Sequence, residues 1–545
     1  MNKVAHYLQE HLSGEVVTSV DALRYFSTDC SIFSIAPSII TYPRNENDVR
    51  KTARFTWQLA ERNRIIPITP RGLGSNVTGA AIGEGIITVF PAHMNRILEL
   101  DSRSGEVTVE PGLNFGKLQE ALYTHGRFLP AFPSSMNYST IGGAAANNSG
   151  GITSIKYGSL ENFVKGLRVV LSNGEIIETR RLSKRELNKK LGLATYEGEI
   201  YRAIDTLIEE NHDTIEKLQS FPVRTSSGYN LADVKRKDKS FDLTPLFIGA
   251  QGTLGIITQL TLETEPHTPE TSLIIGYCDD VMQANTAVSK LRDLKNVPST
   301  IEMIDAGLLD FVDKTNPNQL KGLIKKPFPK IILLIEFNNP ADRARSKFSK
   351  KAKNILEDSG IDYKIETDYS KRKEVWKLRD LASAIVNHGE GNKRALPIIE
   401  DGIVPFEQFP VFLKGLYDIF KRNNLPPAVW GHAGDANLQA YPLLDLGQLG
   451  DRQKIFRIID EYYNLVIALG GSTSAQNNDG RLRGPYLEKL FGADAYSLFE
   501  KVKQVFDPYN ILNPGVKLGV SIEENKSLLR TSYTLDKLHD HLPRA

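Results

Sequence analysis

The chain has 545 residues, of which 41% are hydrophobic and 24% are charged. This composition is typical of a soluble globular protein, and the length predicts two or three domains. The 67 basic and 65 acidic residues leave a net charge of +2, which gives no indication of a nucleic-acid partner. With only two cysteines, a disulfide framework, an iron–sulfur centre and a cysteine-ligated metal are excluded.

The N-terminal sequence M-N-K-V-A-H-Y-L-Q-E lacks the apolar core of a signal peptide. The longest apolar runs, such as residues 331–335, are much shorter than the about 20 residues of a membrane-spanning helix. We therefore expect a cytoplasmic protein in a reducing compartment, without a transmembrane segment. Peripheral attachment to the inner membrane stays open.

The first half of the chain alternates short strands with helices. Residues 1–35 read as a polar, helix-forming lead-in, and the next helix is expected to begin at Asn47 or Asp48. Further helices are expected over 114–124 and within a Lys-rich insert over about 183–220. The predicted strands, two of which flank an Asn-Gly hairpin turn, are 65–68, 85–90, 97–100, 106–110, 166–171, 175–178, 245–249 and 255–262.

The second half has a different rhythm, in which strand, helix and strand are followed by another strand and helix. This order predicts an antiparallel sheet with helices on one face. The last third reads as mostly helical, and the residues after Gly519 read as a polar tail. The expected strands and helices are 273–277, 283–294, 301–304, 330–337 and 341–358.

Two glycine-rich segments carry the functional signal: P-R-G-L-G-S-N-V-T-G (70–79) and F-P-S-S-M-N-Y-S-T-I-G-G-A-A-A-N-N-S-G-G (132–151). Glycine lets the backbone approach a ligand closely, and successive amides in such turns form a nest for an anion. Either loop alone could be an ordinary turn. Together, and without an acidic residue, they suggest one elongated ligand with a central diphosphate, which we interpret as a flavin dinucleotide.

Two common phosphate-binding motifs do not fit the first loop. A Rossmann fingerprint would need a glycine where Val77 stands, and a Walker loop would need Lys-Ser/Thr where Ala80 and Ala81 follow Gly79.

Seven segments, in order along the chain, together resemble the FAD-binding oxidoreductases of the vanillyl-alcohol oxidase / p-cresol methylhydroxylase superfamily. Within it they are similar to the branch of D-lactate dehydrogenase, glycolate oxidase and D-2-hydroxyglutarate dehydrogenase. The segments, which span about residues 40–518, are 70–79, 133–151, K-Y-G (156–158), G-A-Q-G-T-L-G-I-I-T (249–258), E-D-G-I-V-P (400–405), G-H-A-G-D-A-N-L (431–438) and I-L-N-P-G (511–515).

The resemblance implies an α+β fold in several parts. A two-subdomain FAD-binding domain of the p-cresol methylhydroxylase type would span 36–268, and a substrate or cap domain 269–500, with a ferredoxin-like antiparallel sheet, helices and a helical C-terminal part. Residues 501–520 would return to the flavin, and 521–545 would be the polar tail.

FAD would lie between the two subdomains, with its diphosphate on the two glycine-rich loops. Covalent members of the superfamily carry His at the position of Ser75, so non-covalent FAD is expected. The residues that the resemblance assigns to FAD are Arg71, Gly72, Gly74, Ser75, Asn76, Gly79, Pro133, Ser134, Ser135, Thr140, Gly142, Gly143, Asn147, Gly150, Gly151, Tyr157, Gly252, Thr253, Ile256, Ile257 and Asn513.

The branch oxidises D-2-hydroxy acids by hydride transfer to flavin, which needs a cation for the substrate carboxylate and a base for the hydroxyl proton. Arg379 matches the family's carboxylate-binding Arg; the alternative is a surface Arg paired with Asp380 or Glu374. His432 is the best remaining base because an imidazole titrates near neutrality, although a lone His is more often structural.

The metal site of the family is incomplete in this chain. His432 and Asn437 are retained, but Gln439, Gln476 and Asn477 stand where a second His, a Glu and the expected basic His would be. Neutral amides are weak metal ligands and accept no proton near pH 7, and one imidazole does not make a zinc site. We therefore expect no tightly bound catalytic metal. Other polar candidates near the flavin are Asp435, His388, Arg481 and Arg483.

The leading hypothesis is an FAD-linked oxidoreductase that acts on a D-2-hydroxy acid or a related CH–OH substrate. Electrons would pass to a quinone, a cytochrome, a flavoprotein or O₂. Two alternatives stay open: a catalytically weakened FAD-binding subunit of a larger oxidase complex, and a metal-free alcohol oxidase of another substrate class.

Overall fold

The structure, a computed structural model, describes residues 3–387 and 391–533. Apart from short 3-10 turns, the elements of the first half are α1 (Lys3–His11), β1 (Glu15–Val17), α2 (Val20–Phe26), β2 (Ile39–Tyr42), α3 (Glu46–Ala60), β3 (Ile68–Arg71), β4 (Ile86–Val89), β5 (Ile97–Asp101), β6 (Glu106–Val109), α4 (Phe115–Thr124), β7 (Arg127–Phe128), α5 (Ile141–Asn147), α6 (Ser154–Tyr157), β8 (Val164–Val170), β9 (Ile176–Arg180), α7 (Lys184–Leu191), α8 (Tyr196–Glu210), α9 (His212–Gln219), α10 (Thr244–Phe247), β10 (Ile256–Glu263) and β11 (Glu265–Pro266).

The elements of the second half are β12 (Ser272–Cys278), α11 (Val281–Arg292), β13 (Thr300–Asp305), α12 (Ala306–Thr315), β14 (Ile331–Phe337), α13 (Asp342–Asp358), β15 (Asp362–Glu366), α14 (Tyr369–Asn387), β16 (Arg394–Ala395), α15 (Phe409–Arg422), β17 (Val429–His432), β18 (Asn437–Ala440), β19 (Leu443–Leu444), α16 (Leu449–Ala468), α17 (Gly480–Arg483), α18 (Leu487–Phe491), α19 (Ala493–Phe506) and α20 (Ile522–Ser527).

The first sheet has four strands in the order β1-β2-β4-β3, with β4 parallel to both β2 and β3. Its β1 comes from the predicted lead-in and pairs antiparallel with β2. Helix α3 begins after Asn45, whose side chain accepts from the amide of Asp48, so the expected caps Asn47 and Asp48 are wrong. The Asp48 carboxylate instead accepts from the amides of Ser13 and Gly14, which ties α3 to the N-terminal segment.

The second sheet is antiparallel throughout, with the order β5-β6-β10-β8-β9. The predicted hairpin is confirmed by the pairing of β8 with β9, and Gly174 in its turn has a φ of +84°. The strand expected over 245–249 is wrong, because this apolar run forms the helical turn α10 with Pro245 in its first turn.

The third sheet has six antiparallel strands in the order β15-β12-β14-β13-β17-β18. Helices were expected on one face only, but helices cover both faces of the sheet. Successive residues of these strands point to opposite faces, and the residues on both faces are apolar. Ile274 packs with α11, α13 and α15 on one face, whereas Leu273 and Ile275 pack with α12 and α14 on the other. The expected helical C-terminal part is confirmed by α14 to α20, and within it β17 and β18 extend this sheet.

The predicted polar tail is wrong for residues 521–533, which are held against the N-terminal segment 28–35. A capping box at Ser521 starts α20, and Leu529 pairs with Phe33. Arg530 donates to the carbonyls of Asp29 and Ser31, and the Tyr533 hydroxyl donates to the carbonyl of Cys30. Residues 534–545 lie outside the described part of the chain. None of the described helices is long and apolar enough to cross a membrane.

Candidate functional site

The first glycine-rich loop leaves the carboxyl end of β3 and is closed by its own side chains. The carboxamide oxygen of Asn76 accepts from the amides of Thr78 (2.9 Å) and Ala80 (3.0 Å). Gly74 has a φ of +77°, a conformation that glycine adopts without strain. The buried guanidinium of Arg71 lies beneath the loop and donates to the carbonyls of Thr28 (2.9 Å) and Ala81 (3.0 Å). Burial lowers the pKa of Arg71, and the nearby Asp29 opposes this.

The second loop is organised by the short helix α5. Its N-cap is Thr140, whose hydroxyl accepts from the amide of Gly143 at 3.1 Å. A Cβ on Gly142 would lie 2.5 Å from Pro111 Cβ, so only glycine allows the loop to pack on this segment. The helix ends at Asn148, which has a φ of +55°.

The two loops face each other across a cavity of about 110 Å³ that opens to solvent. Ser75 Oγ lies 3.1 Å from Ser139 Oγ, and Asn76 Nδ2 donates to Asn147 Oδ1 at 3.2 Å. Within residues 3–387 and 391–533, no hydrogen bond is donated by the amides of Gly72, Leu73, Gly74 and Ser75. Successive amides without a protein acceptor form a nest for an anion, and at this cavity wall they fit the diphosphate of FAD.

Most of the residues predicted to hold FAD line this cavity: Arg71, Gly72, Gly74, Ser75, Asn76, Pro133, Ser135, Thr140, Gly142, Gly143, Asn147, Gly252 and Ile257. Lining residues that the sequence did not single out for FAD include Phe90, Pro111, Ser139, Phe247, Gln251 and Asn477.

The other predicted residues do not line the cavity: Gly79, Ser134, Gly150, Gly151, Tyr157, Thr253, Ile256 and Asn513. Asn513 supports the cavity wall, because its Nδ2 donates to the carbonyls of Ala80 (2.9 Å) and Gln251 (2.7 Å). The Tyr157 hydroxyl contacts Asn338 at the junction with the third sheet.

A cluster of three buried charged groups lies on the third sheet. His432 Nδ1 is 2.5 Å from Glu302 Oε1, and Arg379 Nε donates to Glu302 Oε2. Glu302 is 0% exposed, His432 is 3% and Arg379 is 8%. Arg379 is therefore not a surface side chain, and Glu374 pairs with Lys377. Burial raises the pKa of the neighbouring Asp380, and the charge of Arg379 opposes this.

Two nitrogen atoms of the cluster make no hydrogen bond to the described residues. Within the described ranges, neither His432 Nε2 nor Arg379 Nη2 has a hydrogen-bond partner, although both atoms are buried. Burial tends to raise the pKa of Glu302, but the charges and hydrogen bonds of His432 and Arg379 outweigh it and hold the pKa below its usual range. Glu302 is therefore a carboxylate at neutral pH.

Contacts through the chain connect this cluster to the cavity. His432 pairs with Asn437 across the β17–β18 hairpin, and Asn437 Oδ1 accepts from Gln476 Nε2 at 3.4 Å. The next residue, Asn477, lines the cavity. On the other side, Asp435 bonds Ser154 and Arg224, which joins the hairpin to the helix after the second loop. The hairpin that carries His432 is thus joined to the cavity wall through Asn437, Gln476 and Asn477.

The positions of the family's metal ligands are occupied by side chains with other partners. Gln439 accepts from Trp430 Nε1 at 2.9 Å, and the amides of Gln476 and Asn477 donate to the Asp401 carboxylate. No group of three or more His, Cys, Asp or Glu side chains in the described part of the chain could hold a metal ion. The absence of a catalytic metal stays a prediction.

The remaining candidates from the sequence have structural partners. Arg481 donates to the carbonyls of Gly515, Ile82 and Pro514, and Arg483 is fully buried against Tyr463, Glu400 and Asp401. His388 lies outside the described residues.

Glu302 was missed by the sequence analysis. Its only signal is an acidic residue in the middle of the apolar strand T-I-E-M-I-D (300–305), whose six residues are all buried. A buried carboxylate in a central strand needs charged partners, but the sequence does not say which residues supply them.

Comparisons with known proteins agree with this geometry. Residues 37–180 match the FAD binding domain, and residues 269–516 match the family described as FAD linked oxidases, C-terminal domain. The chain is 27% identical over 508 residues to the glycolate oxidase subunit GlcD of Bacillus subtilis (strain 168), with 92% of each chain covered.

It is also 27% identical over 536 residues to the D-2-hydroxyglutarate dehydrogenase of Pantoea ananatis (strain AJ13355). That alignment covers 96% of this chain and 52% of the relative, so the chain spans about half the length of that protein. A solved structure of p-cresol methylhydroxylase with substrate bound superposes with a TM-score of 0.69 at 15% identity, covering 96% of this chain and 97% of the other. The expected α+β fold of the p-cresol methylhydroxylase type is confirmed. With both matched domains in place, the chain belongs to the FAD-linked oxidases and has FAD as its cofactor.

Proposed function

We propose that this protein oxidises a D-2-hydroxy acid, or a related CH–OH substrate, with FAD as the hydride acceptor. The observation that carries the proposal is the arrangement of two side chains on the Glu302 carboxylate. Arg379 and His432 each contact one of its oxygens, and each keeps a buried atom, Arg379 Nη2 and His432 Nε2, without a partner among the described residues. A 2-hydroxy acid presents a carboxylate next to a hydroxyl group. The carboxylate would pair with the guanidinium of Arg379, and the hydroxyl group would donate its proton to His432. The names of the two hydroxy-acid-linked relatives support this substrate class.

Each residue has a defined task in this reaction. Arg379 binds the substrate carboxylate through its Nη groups, because the Nε–H is already committed to Glu302. His432 Nε2 accepts the hydroxyl proton while the C–H bond breaks with its electron pair and the C=O bond forms. FAD supplies the hydride acceptor when it is bound. Burial of both side chains keeps water away from the reacting atoms.

The cavity residues would hold FAD non-covalently. The amides of Gly72, Leu73, Gly74 and Ser75 are available to the diphosphate, and Ser75 offers no imidazole for a covalent link. The electron acceptor would be a separate molecule, namely a quinone, a cytochrome, a flavoprotein or O₂. The two buried cysteines supply no second redox centre in this chain. A cytoplasmic location, with or without peripheral membrane attachment, belongs to the same proposal.

Anaerobic mixing with a panel of D- and L-2-hydroxy acids tests the proposal. We expect the flavin absorbance of the FAD-loaded protein to bleach with at least one D-2-hydroxy acid. Arg379→Met should raise the substrate concentration needed for half-maximal bleaching, whereas His432→Gln should slow bleaching by about 10²–10⁴-fold.

Failure of every 2-hydroxy acid to bleach the wild-type protein would contradict the proposal. Bleaching by alcohols without a carboxylate would favour a metal-free alcohol oxidase. If no alcohol of either class bleaches the flavin, the catalytically weakened subunit is favoured.

A further inference from the structure

Glu302 lies in the interior of a sheet, where a carboxylate is costly unless it is paired. Strand β13 is flanked by β14 and β17, and Glu302 is opposite Leu334. Removing a carboxylate from water costs several kcal/mol, and charged hydrogen-bond partners must offset this. His432 and Arg379 are those partners, one on each oxygen of the carboxylate.

A second buried arginine, Arg483, offers a comparison in which the guanidinium has protein partners on all three nitrogens. Arg483 is also fully buried beside two carboxylates, but its Nε donates to the Tyr463 hydroxyl, its Nη1 to the Asn478 carbonyl and its Nη2 to the Glu400 carbonyl. In contrast, the Glu302 cluster leaves Arg379 Nη2 and His432 Nε2 unpaired within the described residues. Buried unpaired polar atoms cost about 1–3 kcal/mol each. Here a cation and an imidazole held by the same carboxylate each keep one such atom, and this combination points to a ligand position.

The ionised carboxylate also fixes where the proton of His432 lies. A carboxylate only accepts hydrogen bonds, and a neutral imidazole has one N–H donor and one acceptor nitrogen. The proposed role as a base requires His432 in its neutral form, and because Nδ1 contacts Glu302 Oε1, the hydrogen of that form lies on Nδ1 and the lone pair on Nε2. The same carboxylate accepts from Arg379 Nε, which leaves the Nη end of the guanidinium for another anion.

We propose that Glu302 is a positioning residue, which sets the tautomer of His432 and the orientation of Arg379 for the substrate. The inference rests on the proposed oxidation of a hydroxy acid. Glu302 does not contact the substrate; it acts through the two side chains on its oxygens. During turnover it also balances the positive charge that His432 acquires with the hydroxyl proton.

The decisive variant is Glu302→Gln, which keeps the shape of the side chain but replaces one acceptor oxygen by an NH₂ donor. An NH₂ group facing His432 Nδ1 favours the other tautomer, with the hydrogen on Nε2. We expect kcat to fall about 10²–10⁴-fold, as for loss of a general base, and KM to rise because Arg379 loses its anchor. Glu302→Asp keeps the carboxylate and should retain most of the function.

The tautomer itself provides a readout that needs neither substrate nor turnover. In ¹⁵N spectra of histidine-labelled FAD-loaded protein, the His432 signals are assigned by their loss in His432→Gln. The wild type and Glu302→Asp should show a protonated Nδ1, and Glu302→Gln a protonated Nε2. Glu336→Gln is the matched control, because Glu336 is a half-buried carboxylate of the same sheet whose partners are Thr271 and Trp376. It should leave the His432 signals unchanged.

The results separate this inference from the proposed function. If wild-type protein oxidises no hydroxy acid, the proposed function fails, whereas the spectra still test the tautomer. If Glu302→Gln keeps Nδ1 protonated and its kcat and KM stay close to wild type, the positioning role is overturned. Should Glu302→Gln fail to fold, Glu302→Asp decides between the outcomes. If this variant loses activity and its His432 is protonated on Nε2, the positioning role is also overturned.

Discussion

Asn477 donates a hydrogen bond from Nδ2 to the carboxylate of Glu400, and the same Asn477 forms part of the wall of the FAD cavity. The backbone amide of Asn477 donates to the Asp401 carboxylate at 2.7 Å, so this wall residue is held at two points. A fully buried carboxyl group therefore lies one hydrogen bond away from the cavity wall.

This position makes stability dependent on the protonation of Glu400. Burial raises the pKa of Glu400 from 4.5 to about 7; Arg483 lowers it, Asp401 raises it, and Asn477 and Tyr441 lower it. Because the folded pKa lies above the unfolded one, the stabilisation is fully present below pH 4.5 and is lost as the pH rises through about 7. We expect urea unfolding of Glu400→Gln to depend less on pH over this window than wild type. Parallel pH profiles would contradict the assignment.

Gly143→Ala tests the cavity directly. An added Cβ would meet only Thr140 Oγ1, at 3.1 Å, and Gly143 lines the cavity. Alanine is a better helix former than glycine, so the thermal stability of the FAD-free protein should not fall. The dissociation constant for FAD should rise at least about tenfold, or about 1.4 kcal/mol, because the methyl group occupies ligand space. Gly450→Ala, where nothing lies within 4 Å of the added Cβ, is the control and should bind FAD as wild type does.

The mode of FAD attachment follows from Ser75, which stands where covalent members of the superfamily carry His. Acid precipitation should release all flavin into the supernatant, as measured by its absorbance. Flavin retained in the washed pellet would show a covalent link through another residue.

Segment 521–533 should support FAD binding without contacting FAD. It holds the N-terminal segment 28–35, whose Cys30 amide donates to the carbonyl of Gly74 at 3.1 Å in the first loop. Truncation after Val520 should therefore raise the dissociation constant for FAD. Truncation after Tyr533 keeps the contacts made by Arg530 and Tyr533 and should leave FAD affinity unchanged.

If both truncations bind FAD equally well, segment 521–533 has no such role. Tyr533→Phe removes the hydrogen bond to Cys30 and should show a smaller loss of FAD affinity, even if the longer truncation does not fold.

The incomplete ligand set predicts a protein that works without a divalent metal. Purified protein should contain no stoichiometric zinc or manganese by elemental analysis, and chelators should leave turnover unchanged. Gln439→His alone should destabilise the protein by about 1 kcal/mol, because Trp430 Nε1 loses its acceptor. A chelator-sensitive wild-type activity would show that a metal binds in spite of the substitutions.

The sequence located the cavity between the two glycine-rich loops well, because glycines and small polar residues mark places where the backbone can approach a ligand closely. Gly72, Gly142 and Gly143 all lie where a local motif placed them. Glu302 escaped notice because its meaning depends on residues 77 and 130 positions away, which no local pattern connects.

Other misses have the same physical origin. The run at 245–249 is apolar enough for a strand or a buried helical turn, and periodicity does not separate the two over such a short length. The end of the chain was predicted to be a polar tail partly because of side chains such as Arg530 and Tyr533. Both are in fact buried, and both donate to carbonyl groups of the N-terminal segment.

Asn513 supports the carbonyl of Ala80 from a position 433 residues further along the chain. During synthesis at about 5–20 residues per second, the first loop therefore leaves the ribosome tens of seconds before its support exists. Cofactor capture must be a late event, which follows release of nearly the whole polypeptide. Fragments from prematurely terminated translation would expose an unsupported loop, and holding them in an unaggregated state would fall to chaperones rather than to the flavin.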